Sequence, residues 1–567
     1  MSTQDNAQEL VQRAQAARTQ LLAPGAPFEL EMVEHLGQRV PAYKNAFRSL
    51  PELINAGRAH GEREFMVYGE DRWSFTRFFA AVDALAGRLQ HEHGLQPGAR
   101  VAIALRNRPE WAVAFAAVAL VGAVPAPLNS FGLGEELGAS LQDLQPAWLV
   151  CDQDRFDRLA GHPLPEGCQS TVVDGAGGSV AWQQLVAPQG PALQPPRLAA
   201  ADPALILFTS GASTQAKGVL SNQRAVCQAL HNIDYIGAMA GLTSPQAVQK
   251  LMAAALTPTT LTVVPLFHVS GLHAQLLASL RHGRRLVLMH RWDPAQAMAL
   301  VQQEKVTQFN GAPSMVQQLL NQPAFHDPEV SGTLMGLGFG GAGLSQRLIE
   351  ATLAARPNSL SGIGFGLTET NGVGAGASGT LFALRPTAAG MVSPLMELRI
   401  ADVFGDALPA GQDGEIWLRG VSVMDGYWNQ PKATQAAMND GWFRTGDVGL
   451  VDGDGFLRIV DRIKDVINRN GEKIAAAEVE SCLIQHSAVE EAVVFAQPDE
   501  ATGEAVVAVV HLRPGASANP EELRQHVARH LAAYKVPQTV HLRDESLPRN
   551  PAGKLLKNTL KKEYQPQ

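Results

Sequence analysis

Five short segments combine glycines with hydroxyl or charged side chains at spacings suited to phosphate chemistry. The first follows the apolar run 205–208 and contains the candidate ligands Thr209, Ser210, Gly211, Ser213, Thr214 and Lys217. Its backbone N–H groups and hydroxyls can donate to polyphosphate oxygens, and the Lys217 ammonium can offset their charge. The loop is not a Walker loop, because no glycine precedes Lys217 and no serine or threonine follows it. A solvated turn is the alternative interpretation.

The second segment joins a glycine-rich strand end to a threonine–glutamate pair. It reads Gly364-Phe365-Gly366-Leu-Thr368-Glu369. The Glu369 carboxylate is a hard oxygen ligand suited to Mg²⁺, and the metal would in turn hold a phosphate. Alternatively, the pair starts a helix, with Thr368 as its cap and Glu369 in its first turn.

The third segment ends in a carboxylate suited to a sugar. Asp447 closes the run 442–447, and its two oxygens can accept two ribose hydroxyl protons. An Asx-type turn between strands is the alternative.

The last two segments are rich in lysine and arginine. The run 461–474 contains Arg462, Lys464 and Gly471, and it leads into a helix that includes Glu478 and Glu480. A solvated hairpin with weak surface ion pairs would explain this run equally well. The fifth segment, 547–555, places Lys554 on a polar turn near the C-terminus, where most lysines are simply solvated.

The elements that must position these segments alternate between strands and helices. Apolar runs at 101–105, 148–152, 205–209, 285–289 and 306–311 predict buried strands, and runs 294–303 and 314–320 predict helices. Alternation of this kind indicates parallel-sheet α/β layers, with ligands bound beyond the strand carboxyl ends. Short strands after residue 390 predict a β-rich subdomain. From Lys464 onward, strands at 492–496 and 505–512 and a helix at 520–533 predict a small α+β unit.

Composition excludes several classes of protein. The chain has 567 residues and a net charge of −8, so nucleic-acid binding is not expected. The four cysteines show no paired metal-ligand spacing and indicate reduced thiols in a cytoplasmic protein. The polar N-terminus has no apolar stretch of the kind that a signal peptide needs, so none is expected. The apolar run Trp111–Val124 is near the lower length limit for a membrane span, but a buried helix fits its flanking strands better.

Taken together, the five segments resemble the acyl-adenylate-forming superfamily, which includes acyl-CoA synthetases, in their order and spacing from about residue 65 to 560. The resemblance implies an N-terminal domain over 1–463, which holds the acyl and ATP pockets, and a mobile C-terminal domain over 464–567. It implies ATP, Mg²⁺ and coenzyme A as ligands. Two half-reactions would be separated by a rotation of the C-terminal domain about Lys464.

The resemblance also assigns a role to each segment. The loop 209–218 would hold the β- and γ-phosphates, Thr368 the α-phosphate, and Glu369 the Mg²⁺. Asp447 and Arg462 would bind the ribose, and Lys554 would reach the α-phosphate and the substrate carboxylate. Further implied contacts are those of the adenine with the segment 340–343, which includes Gly341 and Ala342, of the nucleotide with Gly364–Gly366, of the acyl group with His268, and of the pantetheine arm with Gly471.

The chain departs from the family pattern at a few positions. Ala212, Thr214 and Ala216 replace a commoner threonine, glycine and proline of the phosphate loop. These changes remove a hydroxyl donor and place a β-branched residue where a positive φ is common, so we expect a looser grip on pyrophosphate. Asp461 replaces a commoner glycine, and Ala476 a commoner proline.

Segments 231–235, 267–272 and 371–378 would line the acyl pocket. The last is crowded with small residues, which predicts room for an apolar monocarboxylate such as a medium- or long-chain fatty acid or a steroid-type acid. An aryl or cinnamate-type acid is the alternative. No carrier-protein serine motif follows Lys554, which favours free coenzyme A over a separate carrier protein as acceptor. A catalytically impaired nucleotide- or acyl-binding homologue, a homodimer and peripheral membrane association remain open.

Overall fold

The structure is a computed structural model. It describes residues 3–209, 216–340, 344–470, 472–550 and 553–564. The predicted site residues Ser210, Gly211, Ser213, Thr214, Gly341, Ala342 and Gly471 lie outside the described residues, as do the loop substitutions Ala212 and Thr214.

A 14-stranded sheet forms the centre of the larger part of the chain. Six of its strands are parallel neighbours, in the spatial order Glu64–Tyr68, Arg285–Leu288, Thr259–Thr262, Gln308–Gly311, Gly336–Phe339 and Gly362–Phe365. The helices that connect or cover them are Val269–Gly271, Leu272–Leu277, Ala278–His282, Pro294–Gln303, Pro313–Leu320, Pro328–Ser331 and Gln346–Ala355. The predicted helix 294–303 is confirmed at both ends. At its start, Pro294 is the first helical residue and the Asp293 side chain caps it.

The short strands after residue 390 extend this same sheet on one side. From Gly362–Phe365 outward, the antiparallel neighbours are Ala375–Ser378, Gly390–Val392, Phe456–Arg462, Trp442–Val451, Gly414–Gly420 and Met396–Ala401. Asp71–Ser74 and Met438–Asn439 complete the sheet. The β-rich region therefore shares its hydrogen bonding with the parallel strands that carry the Gly364–Glu369 segment.

A second sheet is parallel throughout and has four strands, in the order Val124–Pro127, Arg100–Ala104, Trp148–Cys151 and Gln169–Val172. Its helices are Phe75–His91, Pro109–Val121, Gly134–Leu144 and Gln153–Arg158. The apolar run that begins at Trp111 lies in the helix Pro109–Val121 and is buried. Among the described residues, no helix combines the length and the apolar character that a membrane crossing needs.

The strands on either side of the predicted phosphate loop form an antiparallel pair. Strands Pro203–Thr209 and Lys217–Asn222 pair with Thr209 opposite Lys217, and Gly426–Tyr427 adds a third strand. The long helix Gln223–Thr243 follows, and the N-terminal helix Thr3–Leu22 packs beside it. The remaining elements of this part are Leu30–His35, Gln38–Tyr43, Leu50–Ala56, Trp182–Leu185, Pro245–Ala254, Thr380–Leu384 and Pro431–Ala437.

A five-stranded sheet begins after Lys464 and has its own apolar core. Its strands are Ile467–Arg469, Glu472–Ile474, Val489–Asp499, Gly503–Leu512 and Thr539–Arg543. Its helices are Ala476–Gln485, Pro520–His530 and Lys557–Glu563. The predicted fold class, a large α/β part with a smaller α+β C-terminal part, is confirmed.

Candidate active site

The candidate site lies at the carboxyl edge of the main parallel strands. Strands Gln308–Gly311, Gly336–Phe339 and Gly362–Phe365 run in the same direction, so the residues that follow them meet at one edge. Gly366 and Thr368 follow the last of these strands directly, and Thr368 opens the short 3₁₀ turn Thr368–Thr370. The alternative interpretation of a helical turn is thus correct locally, but Leu367 and not Thr368 occupies the N-cap position, and Glu369 lies at the edge of the cleft.

Glu369 is held by a tyrosine that the sequence analysis missed. The Tyr427 hydroxyl donates to Glu369 Oε1 at 2.7 Å, and the Met424 N–H donates to the Glu369 carbonyl at 2.8 Å. Burial, together with the charge of Glu369, raises the pKa of Tyr427, so its phenol remains a donor at neutral pH. Lys217 Nζ lies 4.8 Å from the centre of the Tyr427 ring. Tyr427 therefore joins the end of the phosphate hairpin to the candidate metal ligand.

Asp447 and Arg462 face each other on paired strands. They are register partners, and Arg462 Nε lies 3.1 Å from Asp447 Oδ1. Asp447 is only 4 % exposed, and burial raises its pKa, while the charges of Arg462 and Lys554 oppose that shift. The two residues predicted to bind a ribose are thus neighbours, with a desolvated carboxylate beside a half-exposed guanidinium.

Lys554 stands on a hairpin tip that reaches into the same cleft. The Lys554 N–H donates to Asn550 Oδ1 at 2.9 Å, and Arg549 Nη1 donates to the Gly553 carbonyl at 2.9 Å. Gly553 has φ +80°, and a Cβ there would lie 2.5 Å from Ala312 Cβ. The glycine therefore lets the hairpin pack against the start of the helix Pro313–Leu320.

The charges around Lys554 show which groups share the cleft. Burial lowers the pKa of Lys554, as do Arg462 and Lys464, whereas Asp447 and Glu369 raise it. The Lys554 side chain remains open to water although protein surrounds most of the cleft, and we expect that water to weaken these interactions. Lys464 lies in the 3₁₀ turn Ile463–Asp465, and burial also lowers its pKa.

His268 belongs to this cleft as well. Its ring lies 4.3 Å from the Phe267 ring, between centroids. Burial, together with the Lys554 ammonium, lowers the pKa of His268 to about 3. The imidazole is therefore neutral at physiological pH. The sequence predicted His268 at the border of the acyl pocket, and the structure brings it near Lys554.

One carboxylate, Glu369, is positioned for a hard divalent cation. Mg²⁺ usually takes one or two carboxylates and completes its shell with water and phosphate oxygens, so a single oriented carboxylate beside a phosphate loop fits it. Two carboxylates, those of Glu369 and Asp447, lie in one cleft. The positively charged side chains of Lys217, Arg462, Lys464 and Lys554 lie around the same cleft. Such a site can bind a metal–polyphosphate and neutralise charge that develops at phosphorus.

The small residues after Glu369 leave less room than the sequence predicted. A Cβ on Gly376 would lie 3.1 Å from Ile236 Cδ1, and one on Gly372 would lie 3.3 Å from Val269 Cγ2. Side chains of the neighbouring helices thus occupy the space beside these glycines. The expectation that small residues here make a large acyl pocket is wrong for this arrangement, because they allow close packing instead.

A small cavity remains between the helix Gln223–Thr243 and the strand Ala375–Ser378. Its volume is about 20 Å³. Tyr235 and Gly376–Ser378, which belong to two of the predicted acyl segments, line it. Arg18 of the N-terminal helix also lines it and donates from Nη1 to the Val392 carbonyl at 3.0 Å.

Asp461 makes a contact across the chain segment that contains Lys464. Its Oδ2 accepts from the Ala477 N–H at 3.1 Å, in the first turn of the helix Ala476–Gln485. The residue just before that helix, Ala475, has no side chain that could cap it. Asp461 therefore supplies a helix cap from the end of the strand Phe456–Arg462.

Comparison with known proteins gives matches over most of the chain. The AMP-binding enzyme family model matches residues 54–428, and the AMP-binding enzyme C-terminal domain model matches residues 478–554. Among curated relatives, 4-coumarate–CoA ligase 5 of Oryza sativa subsp. japonica is 33 % identical over 508 residues, which cover 86 % of this chain and 89 % of that protein. Feruloyl-CoA synthase of an Amycolatopsis species is 32 % identical over 510 residues, covering 88 % and 95 %.

A solved structure is similar over nearly the same span. It is o-succinylbenzoate CoA synthetase from Bacillus subtilis in complex with the acyl-adenylate intermediate OSB-AMP. Its TM-score is 0.73 at 28 % identity, and the match covers 90 % of this chain and 97 % of that one.

Proposed function

Because this chain belongs to the AMP-binding enzyme family and is an AMP-forming acid–thiol ligase, we propose that it activates an aryl or cinnamate-type carboxylic acid for transfer to coenzyme A. The family and the enzyme class predicted from the five segments are confirmed. The observation that carries the proposal is the Lys554 hairpin, which enters a cleft shared with Glu369, Asp447 and Arg462.

The first half-reaction joins the acid to AMP. A carboxylate oxygen attacks the α-phosphorus of ATP, the bond to the β-phosphate oxygen breaks, and pyrophosphate leaves. Asp447 and Arg462 hold the ribose hydroxyls, and Lys554 neutralises charge at the α-phosphate and on the attacking carboxylate. Glu369 holds Mg²⁺, which when bound supplies further charge neutralisation to the phosphates. The loop 209–218, which includes Lys217, binds the β- and γ-phosphates.

The second half-reaction transfers the acyl group to sulfur. The coenzyme A thiol attacks the acyl carbonyl carbon, the carbon–oxygen bond to AMP breaks, and the thiol proton is released. We assign Lys464 as the hinge between domains 1–463 and 464–567, because it lies in the turn between the last strand of the large sheet and the first of the small one. Rotation about it withdraws Lys554 and brings Gly471 to the pantetheine arm.

Pocket size favours a compact acid over a long chain. The cavity beside Tyr235 is small, and side chains from two helices fill the space next to Gly372 and Gly376. The curated relatives carry names of aromatic acids, 4-coumarate and ferulate, and they favour the aryl alternative over the fatty or steroid-type acid. A rigid planar ring suits a narrow slot that a flexible chain of ten or more carbons would overfill.

Arg18 gives the far end of this pocket a polar character. Its guanidinium lines the cavity and donates to the neutral Val392 carbonyl. Phe365 pairs with Ala375, and Ala375 pairs with Val392 on the next strand. The distance from Phe365 to Val392 across the sheet is therefore roughly 10 Å, at ~4.8 Å between neighbouring strands. An aryl acid whose ring carries a hydroxyl or second acidic group far from the reacting carboxylate would place that acceptor near Arg18.

The test is pyrophosphate release with MgATP and coenzyme A against hydroxycinnamic, benzoic, straight-chain and steroid-type acids. We expect release with the hydroxycinnamic or benzoic acids, a thioester product, and loss of at least 100-fold of the rate in Lys554→Ala. The exposed Lys562→Ala is the matched control. Turnover of long-chain acids alone would overturn the substrate class. Acid-dependent pyrophosphate without a thioester would make a carrier protein the acceptor, and ATP binding without turnover would identify an impaired homologue.

A further inference from the structure

Two helices of the C-terminal unit bring together three metal-ligating side chains outside the active site. Cys482 lies on the helix Ala476–Gln485, and His526 and His530 lie one turn apart on the helix Pro520–His530. Cys482 Sγ and one ring nitrogen from each histidine all lie within 4.8 Å of one another. None of the three has a role in the acyl-transfer chemistry proposed above.

Hydrogen bonds fix the protonation of both imidazoles. His526 Nε2 lies 3.0 Å from the Cys482 carbonyl oxygen, and His530 Nδ1 lies 2.8 Å from the His526 carbonyl oxygen. A carbonyl can only accept, so these two nitrogens carry the protons, and His526 Nδ1 and His530 Nε2 keep their lone pairs. Histidines that bind metals typically donate their second nitrogen to a carbonyl in this way.

The electrostatic setting differs between the ligands. Burial lowers the pKa of His526 and the hydrogen bond to the Cys482 carbonyl raises it, whereas burial and the charge of Glu478 raise the pKa of the Cys482 thiol. Cys482 is 4 % exposed and lies among the apolar side chains that hold the two helices together, including Val479, Leu523 and Val527. His530 is exposed and gives a metal ion access from solvent. Cys482 is therefore held in the apolar core, whereas His530 can be reached from solvent.

We propose that Cys482, His526 and His530 form a site for a divalent transition metal of the zinc class. Cys482 Sγ, His526 Nδ1 and His530 Nε2 would be ligands, with water in the fourth position, and the thiol would release its proton on binding. Tetrahedral ligand atoms are about 3.3–3.8 Å apart, so the side chains close by roughly 1 Å. Sulfur and imidazole ligands favour Zn²⁺ or Co²⁺ over Mg²⁺.

The nearby His486 does not join the ligand set. Its ring lies 5.2 Å from that of His526, between centroids, but its Nδ1 accepts from the Ala488 N–H at 3.3 Å. That bond leaves the proton on Nε2, so a neutral His486 has no free lone pair to offer. A bound metal would tie the end of one helix to the end of the next and stabilise the C-terminal unit.

The experiment is a titration of the full-length protein with Co²⁺, in excess Mg²⁺ and without ATP, followed by competition with Zn²⁺. We expect one Co²⁺ per chain and a thiolate-to-cobalt charge-transfer band, abolished in Cys482→Ala and displaced by Zn²⁺. His530→Gln should weaken Co²⁺ binding at least tenfold, and because His530 is exposed this variant should fold. Cys168→Ser and His541→Gln are the matched controls and should bind like the parent.

Any of three results would overturn the proposal. The first is the absence of the band in the parent protein. The others are a band of undiminished strength in Cys482→Ala and unchanged Co²⁺ affinity in His530→Gln. Thermal melting gives a second readout, because a metal that binds the folded state raises Tm in proportion to its occupancy. Zn²⁺ should raise Tm in the parent and in both controls, but not in Cys482→Ala.

Discussion

The Asp461 carboxylate caps the helix that begins at Ala476, from the opposite side of Lys464 in the chain. Its Oδ2 accepts from the Ala477 N–H at 3.1 Å, and its Oδ1 accepts from the Arg462 N–H at 2.8 Å. A rotation about Lys464 would separate Asp461 from that helix. The contact occurs in the arrangement in which Lys554 faces the cleft, and under the proposed hinge we expect Asp461 to favour that arrangement.

Replacement of Asp461 by alanine should slow the first half-reaction selectively. Loss of a helix cap costs about 1 kcal/mol, so we expect acyl-adenylate formation without coenzyme A to fall by up to about fivefold. Thioester formation from a synthetic acyl adenylate should not slow. Asp461→Asn keeps one acceptor oxygen, which can face the Ala477 N–H, and should lose less activity than Asp461→Ala. Equal loss in both half-reactions would show that Asp461 stabilises the whole protein instead.

Gly553→Val should block the docking of the Lys554 hairpin. The new Cβ would lie 2.5 Å from Ala312 Cβ, a distance that forces the backbone to shift. We expect at least a tenfold loss in pyrophosphate release, with thioester formation from preformed adenylate retained. Gly515→Val is the control, because Gly515 has φ +77° but open space around it. If both variants lose the same activity, backbone strain and not the contact with Ala312 is responsible.

Tyr427→Phe should weaken the response to Mg²⁺. The phenol that orients Glu369 Oε1 is removed, and outer-shell changes of this kind typically lower metal affinity ~10-fold or more. The measurement is the Mg²⁺ concentration that gives half-maximal pyrophosphate release at saturating ATP. Tyr534→Phe, at an exposed position, serves as the control. An unchanged Mg²⁺ requirement would mean that Glu369 needs no orientation by Tyr427.

The alkaline limb of the pH profile should report on Lys554. Burial lowers its pKa from 10.5, so the ammonium needed for the first half-reaction is lost at a lower pH than an ordinary lysine would allow. We expect kcat/KM for pyrophosphate release to fall as pH rises through that lowered pKa. Lys554→Arg should retain its charge and shift the limb to higher pH. A limb at the same pH in both proteins would assign it to another group.

Arg18→Gln should change substrate preference more than rate. If Arg18 binds a polar group at the far end of the ring, its loss should raise KM for hydroxycinnamic acids about tenfold, since hydrogen bonds to charged groups contribute ~1.5–3 kcal/mol. The KM for cinnamic acid, which lacks the hydroxyl, should change little. Arg13→Gln on the same helix is the control. A parallel rise for both acids would indicate a structural role for Arg18.

The sequence predicted local elements better than contacts between distant segments. The helix Pro294–Gln303 was predicted at both ends because its sequence pattern is local to the helix itself. The resemblance identified Glu369, Asp447, Arg462 and Lys554, which the structure brings to one cleft. It missed Tyr427, Arg18 and the capping role of Asp461, because each acts on a residue that only the tertiary fold brings near.

The local sequence pattern also led to a wrong prediction where contacts between distant segments determine how much space remains. Small residues at 372–376 predicted open space, but Val269 and Ile236 come from other elements and fill it. The metal-ligating cluster was missed for a similar reason, since Cys482 lies 44 residues before His526 and only helix packing brings them together. The roles of all the candidate site residues stay predictions, and Ser210, Gly211, Ser213, Thr214, Gly341, Ala342 and Gly471 also lie outside the described residues.

The parallel pairing of Glu64–Tyr68 with Arg285–Leu288 has a consequence for biosynthesis. The strand Glu64–Tyr68 cannot pair with Arg285–Leu288 until more than 200 further residues have been synthesised. This takes roughly 10–40 s at ~5–20 residues per second on the ribosome. The sheet within 100–172 needs no such partner and can form first. We expect ribosome-bound chains of about 200 residues to protect 100–172 from protease while 64–68 is still cleaved, and protection of both would contradict this order.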